Sequence, residues 1–461
     1  MEKEASIEAP RRPLLLSFAL SAVTTAQIAG AFAIHWYTVA QLGVGPETDA
    51  LYAGSTLPQI AIVVLIEPLG FVLIPMLSVS DGTERRIVGG LLFRFTAAVS
   101  ILIALLICVL LPLIVPILVP GFTDATRQLT ISLARIQTVA VVGAACMAVL
   151  SSFYQAGQKF ILPALSTLAW TLIGWLLLIV GIHEAGVSLA AWVQVLCYVG
   201  PMLFLVPSLG WSVRGDRFKL HETLRELWPR LQPLTASAAY YRTGFLVDRF
   251  LASLLAPGSV VVLELAWRFH LALVRILNQG ITTPILPVLA RLSHQGAWRS
   301  FRRLYRQRLT WIALVSLPAV GGLIAAALLS RGYSDEAGGG LILGAISTSD
   351  VNKLALALIG SSGVLLCGSI NHLLMSAFYA QGDMRTPTRI QMLSYSIGIL
   401  MKGGGFLLGG LFGIVLAMSL YYALEGLLLG TVLHRRMADR LHSELGPLPE
   451  FPAVEVPPRP L

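Results

Sequence analysis

Charge is what this sequence has least of. Only 12% of its 461 residues are Asp, Glu, Lys or Arg, about half the share of an ordinary soluble domain. That excludes a solvated surface wrapped round a single core. Recognisable catalytic equipment is missing too. No G-x-x-x-x-G-K-[ST] loop occurs, so ATP is not hydrolysed by that route, and there is no H-E-x-x-H motif or Cys/His cluster with metal spacing. The four cysteines, Cys108, Cys146, Cys197 and Cys367, all lie in apolar runs, which favours small core residues over disulfides or ligands. His35, His183, His270 and His372 are scattered singles. No loop is long enough for a soluble catalytic domain. The expectation is a non-enzymatic protein without a cofactor. The first ten residues are polar and acidic and the run from Leu14 is too long for a signal core, so no cleavable signal peptide is expected.

What is abundant is apolar sequence, 56% of the chain. Runs long enough to cross a bilayer recur from end to end. They read as twelve spans, near 14–42, 50–78, 88–118, 128–155, 160–181, 186–210, 231–255, 260–290, 308–330, 352–381, 387–402 and 404–433, with the last boundary placed around Lys402-Gly403-Gly404-Gly405. Loop charge tests this count. Arg11 and Arg12, Arg85 and Arg86, the segment Arg214 to Arg230, the six arginines between Arg291 and Arg308, Arg385 and Arg389, and Arg435, Arg436 and Arg440 all fall on one side. The other side is nearly free of Lys and Arg. Both termini are therefore expected in the cytoplasm. The net charge of +9 belongs to those loops and does not signal nucleic acid.

The expected fold class is an all-α polytopic membrane protein of about twelve helices in two parallel six-helix halves. The halves repeat: Ser152-Phe153-Tyr154-Gln155-Ala156-Gly157 ends the fourth span and Ser376-Ala377-Phe378-Tyr379-Ala380-Gln381-Gly382 the tenth. Pro75-Met76-Leu77 and Pro287-Val288-Leu289 close the second and eighth. Six spans per half give both halves the same orientation, an arrangement in which transporters bind substrate between halves. The expected units are residues 1–213, a cytoplasmic amphipathic connector at 214–230, the second half at 231–440 and a disordered Pro-rich tail at 441–461. Segment 296–308, with Trp298, Phe301 and Tyr305 among arginines, is a second candidate interfacial helix.

The chemistry concentrates between Tyr240 and Arg291. Two apolar helices joined at Ala256-Pro257-Gly258-Ser259 carry Arg242, Arg249, Arg268 and Arg275 against Asp248 and Glu264. An arginine in a hydrocarbon layer costs about 3 kcal/mol on insertion scales, so it marks function by default. Each arginine pair is spaced by seven and shares a helix face. Arg242 should meet Arg275, and Arg249 should meet Arg268, about 10 Å away in depth. Asn278 extends the Arg275 face. The excess of two positive charges suits a diphosphate. The alternative is structural: Glu264 and Arg268, four apart, pair with each other, Asp248 neutralises an arginine on a neighbouring helix, and a double change to alanine at 264 and 268 restores what Arg268→Ala alone removes.

These residues and their neighbours resemble the MurJ/MviN family of lipid II flippases, in the superfamily of MATE exporters and polysaccharide-unit flippases. The resemblance runs from about residue 14 to 433. It rests on Thr48-Asp49-Ala50-Leu51-Tyr52 through Leu57-Pro58-Gln59 to Glu67, on Val119-Pro120-Gly121-Phe122, and on Leu246-Val247-Asp248-Arg249-Phe250-Leu251-Ala252-Ser253. Ala266-Trp267-Arg268-Phe269 and Ala377-Phe378-Tyr379-Ala380-Gln381-Gly382-Asp383-Met384-Arg385-Thr386-Pro387 complete it. It implies transport of a polyprenyl-diphosphate-linked saccharide to the outer leaflet of the bacterial inner membrane, with a cationic central cavity for the diphosphate. Arg268 falls on one of the family's cavity arginines. Family arginines near Gln27-Ile28, Ile34-His35, Thr56 and Ile62-Val63 are absent, and the family has fourteen spans against twelve read here.

Three functions follow as expectations. The first is a flippase for lipid II or another envelope precursor, recognised by Arg268, Arg275, Arg242, Arg249 and Asn278. It would be driven by an ion gradient or membrane potential, with Asp248 and Glu67 as coupling candidates. Its partners would be the lipid-linked saccharide, membrane lipid, glycosyltransferases and a polymerase. The second is a cation-coupled MATE-like exporter of small molecules, which would use acids such as Glu67, Asp248, Glu264 or Glu425. The third is a non-transporting membrane partner of envelope-polymer assembly.

Overall fold

A backbone in hydrocarbon must satisfy its polar groups internally, so apolar runs of this length become helices. The computed structural model describes residues 11–79, 82–209, 217–282, 285–333 and 345–445, and among them there is no strand. The elements are α1 (Arg11–Leu42), α2 (Pro46–Gly54), α3 (Thr56–Val79), α4 (Gly82–Leu118), α5 (Asp124–Ala156), α6 (Ile161–Leu205), α7 (Arg217–Ser253) and α8 (Ser259–Ile281), followed by α9 (Leu286–His294), α10 (Trp298–Tyr333), α11 (Thr348–Gly360), α12 (Ser362–Tyr379) and α13 (Arg385–Leu445). Seven helical segments among the described residues are long and apolar enough to cross a bilayer. α7 and α8 are not among them: α8 carries Glu264, Arg268 and Arg275 within its span, and α7 is too polar along its length.

Two helices are too long for one crossing. At about 1.5 Å per residue, the 45 residues of α6 would reach about twice the hydrocarbon thickness. The helix turns back at Gly186 (φ 57°, ψ −144°). The 61 residues of α13 turn at Gly409 and Gly410, the latter at φ 54°. This corrects the boundary read at Lys402–Gly405, which lies within helix. A reversal needs the positive φ that glycine tolerates, and Gly410 supplies it. Lys402 needs no loop because it has a buried partner, described below. The two arms of α13 meet backbone to backbone: a Cβ on Gly413 would lie 1.9 Å from the Gly405 carbonyl oxygen.

Both connectors continue directly into membrane helices. Residues 217–230 form the start of α7, and residues 214–216 lie outside the described segments. α10 begins at Trp298, and Phe301 and Tyr305 turn inward against Leu374, Phe378, Leu429 and Met437. Their helical spacing therefore serves a core, where an interfacial face was expected. α13 continues to Leu445, into the segment expected to be a disordered tail; residues 446–461 lie outside the described ones.

The first half packs α3, α4 and α6 around α5, and α1 on α6. The second gathers α8, α10, α11 and α13 around α12. Between halves, α1 and α2 lie on α8, while α3 and α4 lie on α7. The charged hairpin α7–α8 thus forms the inner wall of the second half. Leu102, Leu105, Leu106, Val109, Leu113 and Ile117 of α4 are exposed in the isolated chain, as are Leu400, Leu407 and Leu408 of α13. An apolar surface of this extent is stable against lipid tails. The chain is a multi-pass membrane protein.

Candidate functional site

Where the halves meet, α7 and α8 bring three charges together. Glu264 on α8 is 3% exposed and accepts from two arginines. Arg249 Nη2 donates to one carboxylate oxygen, and Arg268 Nε donates to the other at 2.5 Å. One carboxylate against two guanidiniums leaves one positive charge. Arg249 is 2% exposed and has a second contact, Nε to Thr56 Oγ1 on α3 at 3.3 Å. Arg268 faces out of this triad. Its Nη1 lies 2.7 Å from His35 Nε2 on α1, and its guanidinium sits 5.9 Å from the Tyr52 ring centre. A guanidinium has no acceptor, so His35 Nε2 must be the unprotonated nitrogen. The alternative pairing of Glu264 with Arg268 is thus real, but it is one half of a three-body arrangement.

Arg268 and Arg275 line a cavity of about 320 Å³ between the halves. The wall from the first half is neutral and polar: Gln27, Gln59, Gln137, Gln194, His35 and Thr171. Gln137 Nε2 donates to Gln194 Oε1 at 2.9 Å and to the Leu51 carbonyl at 3.2 Å. The cavity is therefore cationic on one side and amide-lined on the other. Desolvated phosphate oxygens are met best by guanidinium forks, and amides supply donors to hydroxyls and carbonyls without adding charge.

A second cavity, of about 620 Å³, lies within the second half between α7, α8, α12 and α13. Arg242 and Arg275 line it, and so do Asp248, Lys402 and Glu425. Lys402 Nζ is 2.7 Å from Asp248 Oδ1, both nearly buried. Asp248 is therefore paired with a lysine on α13, where an arginine was expected. Arg275 and Leu271 line both cavities, which places Arg275 at their junction. Counting Lys402 and Glu425 with the hairpin residues gives five cations against three carboxylates, so the excess of two positive charges persists. Asn278, 7% exposed, accepts from Thr282 Oγ1 at 3.3 Å and lines neither cavity, and Arg249 lines neither. The Glu67 side chain lies outside the described ones.

One end of the interface is shut. Asp49, at the start of α2, accepts from the backbone N–H of Gly258 at 2.6 Å and of Val261 at 2.8 Å. A carboxylate on these free N–H groups satisfies the start of α8 and complements its dipole. Ala345 N–H donates to the Ala40 carbonyl at the same end. A Cβ on Gly121 would fall 2.0 Å from the Ser253 carbonyl oxygen, so α4's exit loop needs glycine there to lie against the end of α7.

The sequence reading missed His35, Lys402 and the glutamine wall as site residues. The signal was present. His35 and Gln27 stand near positions where family arginines were sought, and Thr56, another such position, receives Arg249 instead.

No curated protein sequence matches the chain. Among solved structures, a lipid II flippase MurJ in an inward closed conformation matches with TM-score 0.73 and 17% identity, over 92% of this chain and 90% of that one. A MATE family multidrug resistance transporter of the MOP superfamily, inward-facing, matches with TM-score 0.71 and 14% identity over 92% and 99%. A MOP superfamily transporter from Pyrococcus furiosus, described as having a binding pocket of reverse polarity, matches with TM-score 0.59 and 14% identity over 92% and 96%. These likenesses concern the fold. The sequence model of the family described as lipid II flippase MurJ matches residues 38–446. By that match the chain belongs to the lipid II flippase MurJ family.

Proposed function

We propose that the chain moves a polyprenyl-diphosphate-linked saccharide, lipid II or a related envelope precursor, from the inner to the outer leaflet of the bacterial inner membrane by alternating access. The observation that carries this is the placement of Arg268 and Arg275 on a cavity between the halves. The triad holds Arg268 rigidly at one end and leaves it 22% exposed to the cavity. Family membership supports the substrate class. Twelve crossings fit α1 to α13 when α6 and α13 each cross twice, α2 and α3 together make one crossing, α11 and α12 another, and the nine-residue α9 makes none of its own. Both termini are then cytoplasmic, and the two halves are 1–213 and 231–440, with 214–230 as a cytoplasmic connector that runs on into α7 and with α13 extending past the second half to Leu445. The shut end is the one whose loops lack Lys and Arg, so the cavity is closed to the outside. Opening outward requires the Asp49 contact to break.

Transport then needs no nucleotide. A gradient or the membrane potential drives it, and Asp248 with Lys402 is the pair whose charge state would couple to it. Asp248 also favours the second reading, cation-coupled export of small molecules, given the MATE-like fold. The test is reconstitution into liposomes with polyprenyl-diphosphate saccharides on one leaflet. Transport without ATP, lost in Arg268→Ala, is expected. Absence of any lipid-linked transport, with gradient-driven export of organic cations instead, would establish the second reading.

A further inference from the structure

The larger cavity enters the arginine argument only through Arg242 and Arg275, yet its other walls are specialised. Trp267, Tyr421 and Tyr422 form one packed cluster, with ring centres 4.7 Å apart for the tyrosine pair and 6.3 Å for Trp267 and Tyr422. Asn371, Gln391 and His372 add neutral polar groups, and Asp248 and Glu425 add carboxylates. A lipid tail would need an aliphatic wall without charges, and these walls are aromatic and charged. Apart from the shared Arg275 its charges balance, Arg242 and Lys402 against Asp248 and Glu425, so it offers a second diphosphate no positive excess of its own. A pyranose ring presents apolar C–H faces and a rim of hydroxyls that both donate and accept. Aromatic faces beside amide and carboxylate groups match that pattern. The volume of about 620 Å³ falls within the about 300–1,000 Å³ usual for small-molecule sites.

We propose that this cavity is the saccharide subsite, and that the diphosphate bound at Arg268 and Arg275 hands its first sugar past Arg275 into it. The inference rests on the flippase reading above. The covalent order of the substrate, lipid then diphosphate then sugar, follows the spatial order of the two cavities through their shared Arg275 and Leu271. The sugar is thus held by the second half alone, while the diphosphate sits between halves.

The test is binding of purified full-length protein in nanodiscs to two probes, polyprenyl diphosphate alone and the same lipid bearing a disaccharide. Wild type should bind the glycosylated probe about tenfold or more tighter. Trp267→Leu should weaken that probe by about fivefold or more, the scale of one lost aromatic contact, and change the bare probe by less than about twofold. His372→Ala truncates an exposed side chain that lines the cavity, leaves no void in the core, and should act in the same direction. Equal loss for both probes, or no loss in either variant, overturns the saccharide subsite. Failure of wild type to bind either probe rejects the flippase reading itself, and the subsite with it.

Discussion

Glu264 is the residue through which structural and functional readings of Arg268 separate. In Glu264→Gln the triad loses its only carboxylate, and two guanidiniums face a neutral amide. Arg249, 2% exposed, then keeps only Thr56 and the amide. Removing one partner of a buried ion pair typically costs about 3–5 kcal/mol. In Arg268→Ala the remaining Arg249–Glu264 pair is neutral, and water in the cavity can replace the lost donor. The cost should not exceed about 2 kcal/mol, the scale of one hydrogen bond to a charged group. The double change Arg268→Ala with Glu264→Ala leaves Arg249 buried and unbalanced, so it should resemble Glu264→Gln and not restore the protein. Two measurements on each variant decide this: the melting midpoint and yield of the solubilised protein, and transport in liposomes. The expected pattern is near-normal yield without transport for Arg268→Ala, and low yield for the other two. If the double variant recovers the yield that Arg268→Ala loses, Glu264 and Arg268 form an isolated pair and the three-body account fails. If Arg268→Ala transports normally, the diphosphate role is wrong.

Three other outcomes follow from the same contacts. Asp49→Asn keeps the shape but removes the charge from the start of α8, a loss of about 0.5–2 kcal/mol from the closed end; a cysteine placed at 44 should then label faster from outside, and unchanged labelling would show that apolar packing closes that end. Lys402→Met leaves Asp248 without its cation and should lower yield, while Lys402→Met with Asp248→Asn should recover it; transport by that double variant with undiminished gradient dependence would remove the pair from coupling. In the loop between α12 and α13, burial would raise the Asp383 pKa, but hydrogen bonds from Thr386 and the Arg436 guanidinium outweigh it and hold the carboxyl well below the usual range. An unfolded Asp titrates near about 3.9. Stability from this contact is therefore fully present above about pH 4 and lost as pH falls through the lower folded value, so Asp383→Asn should melt lower than wild type at pH 7 and approach it only in stronger acid.

The helices themselves were legible because hydrocarbon permits little else. Apolar runs bounded by charge or turn residues located the end of α4, the end of α5 and the start of α6 almost to the residue, and missed the start of α4, the start of α5 and the end of α6 by about one turn or more of helix. The turn inside α13 was misplaced for a physical reason: Lys402 and three glycines look like a loop when a lysine is assumed to need water, and Asp248 removes that need. The aromatics of α10 carried a correct period, but a period alone does not say whether core or membrane interface covers the face.

The sequence by itself determined an all-helical membrane protein with four arginines set in the apolar hairpin of α7 and α8, because burying charge in lipid is costly enough to leave a mark in composition. Seven-residue spacing also determined which arginines share a helix face. Only the tertiary structure decided which of them face a cavity. Arg249 is consumed by Glu264 and Thr56, Arg268 is aimed by Glu264 and His35, and Arg275 stands between two cavities. Those assignments depend on contacts between residues far apart in the sequence, such as Arg249 with Thr56 and Arg268 with His35. Such contacts arise from the packing of one half against the other, which no local pattern encodes.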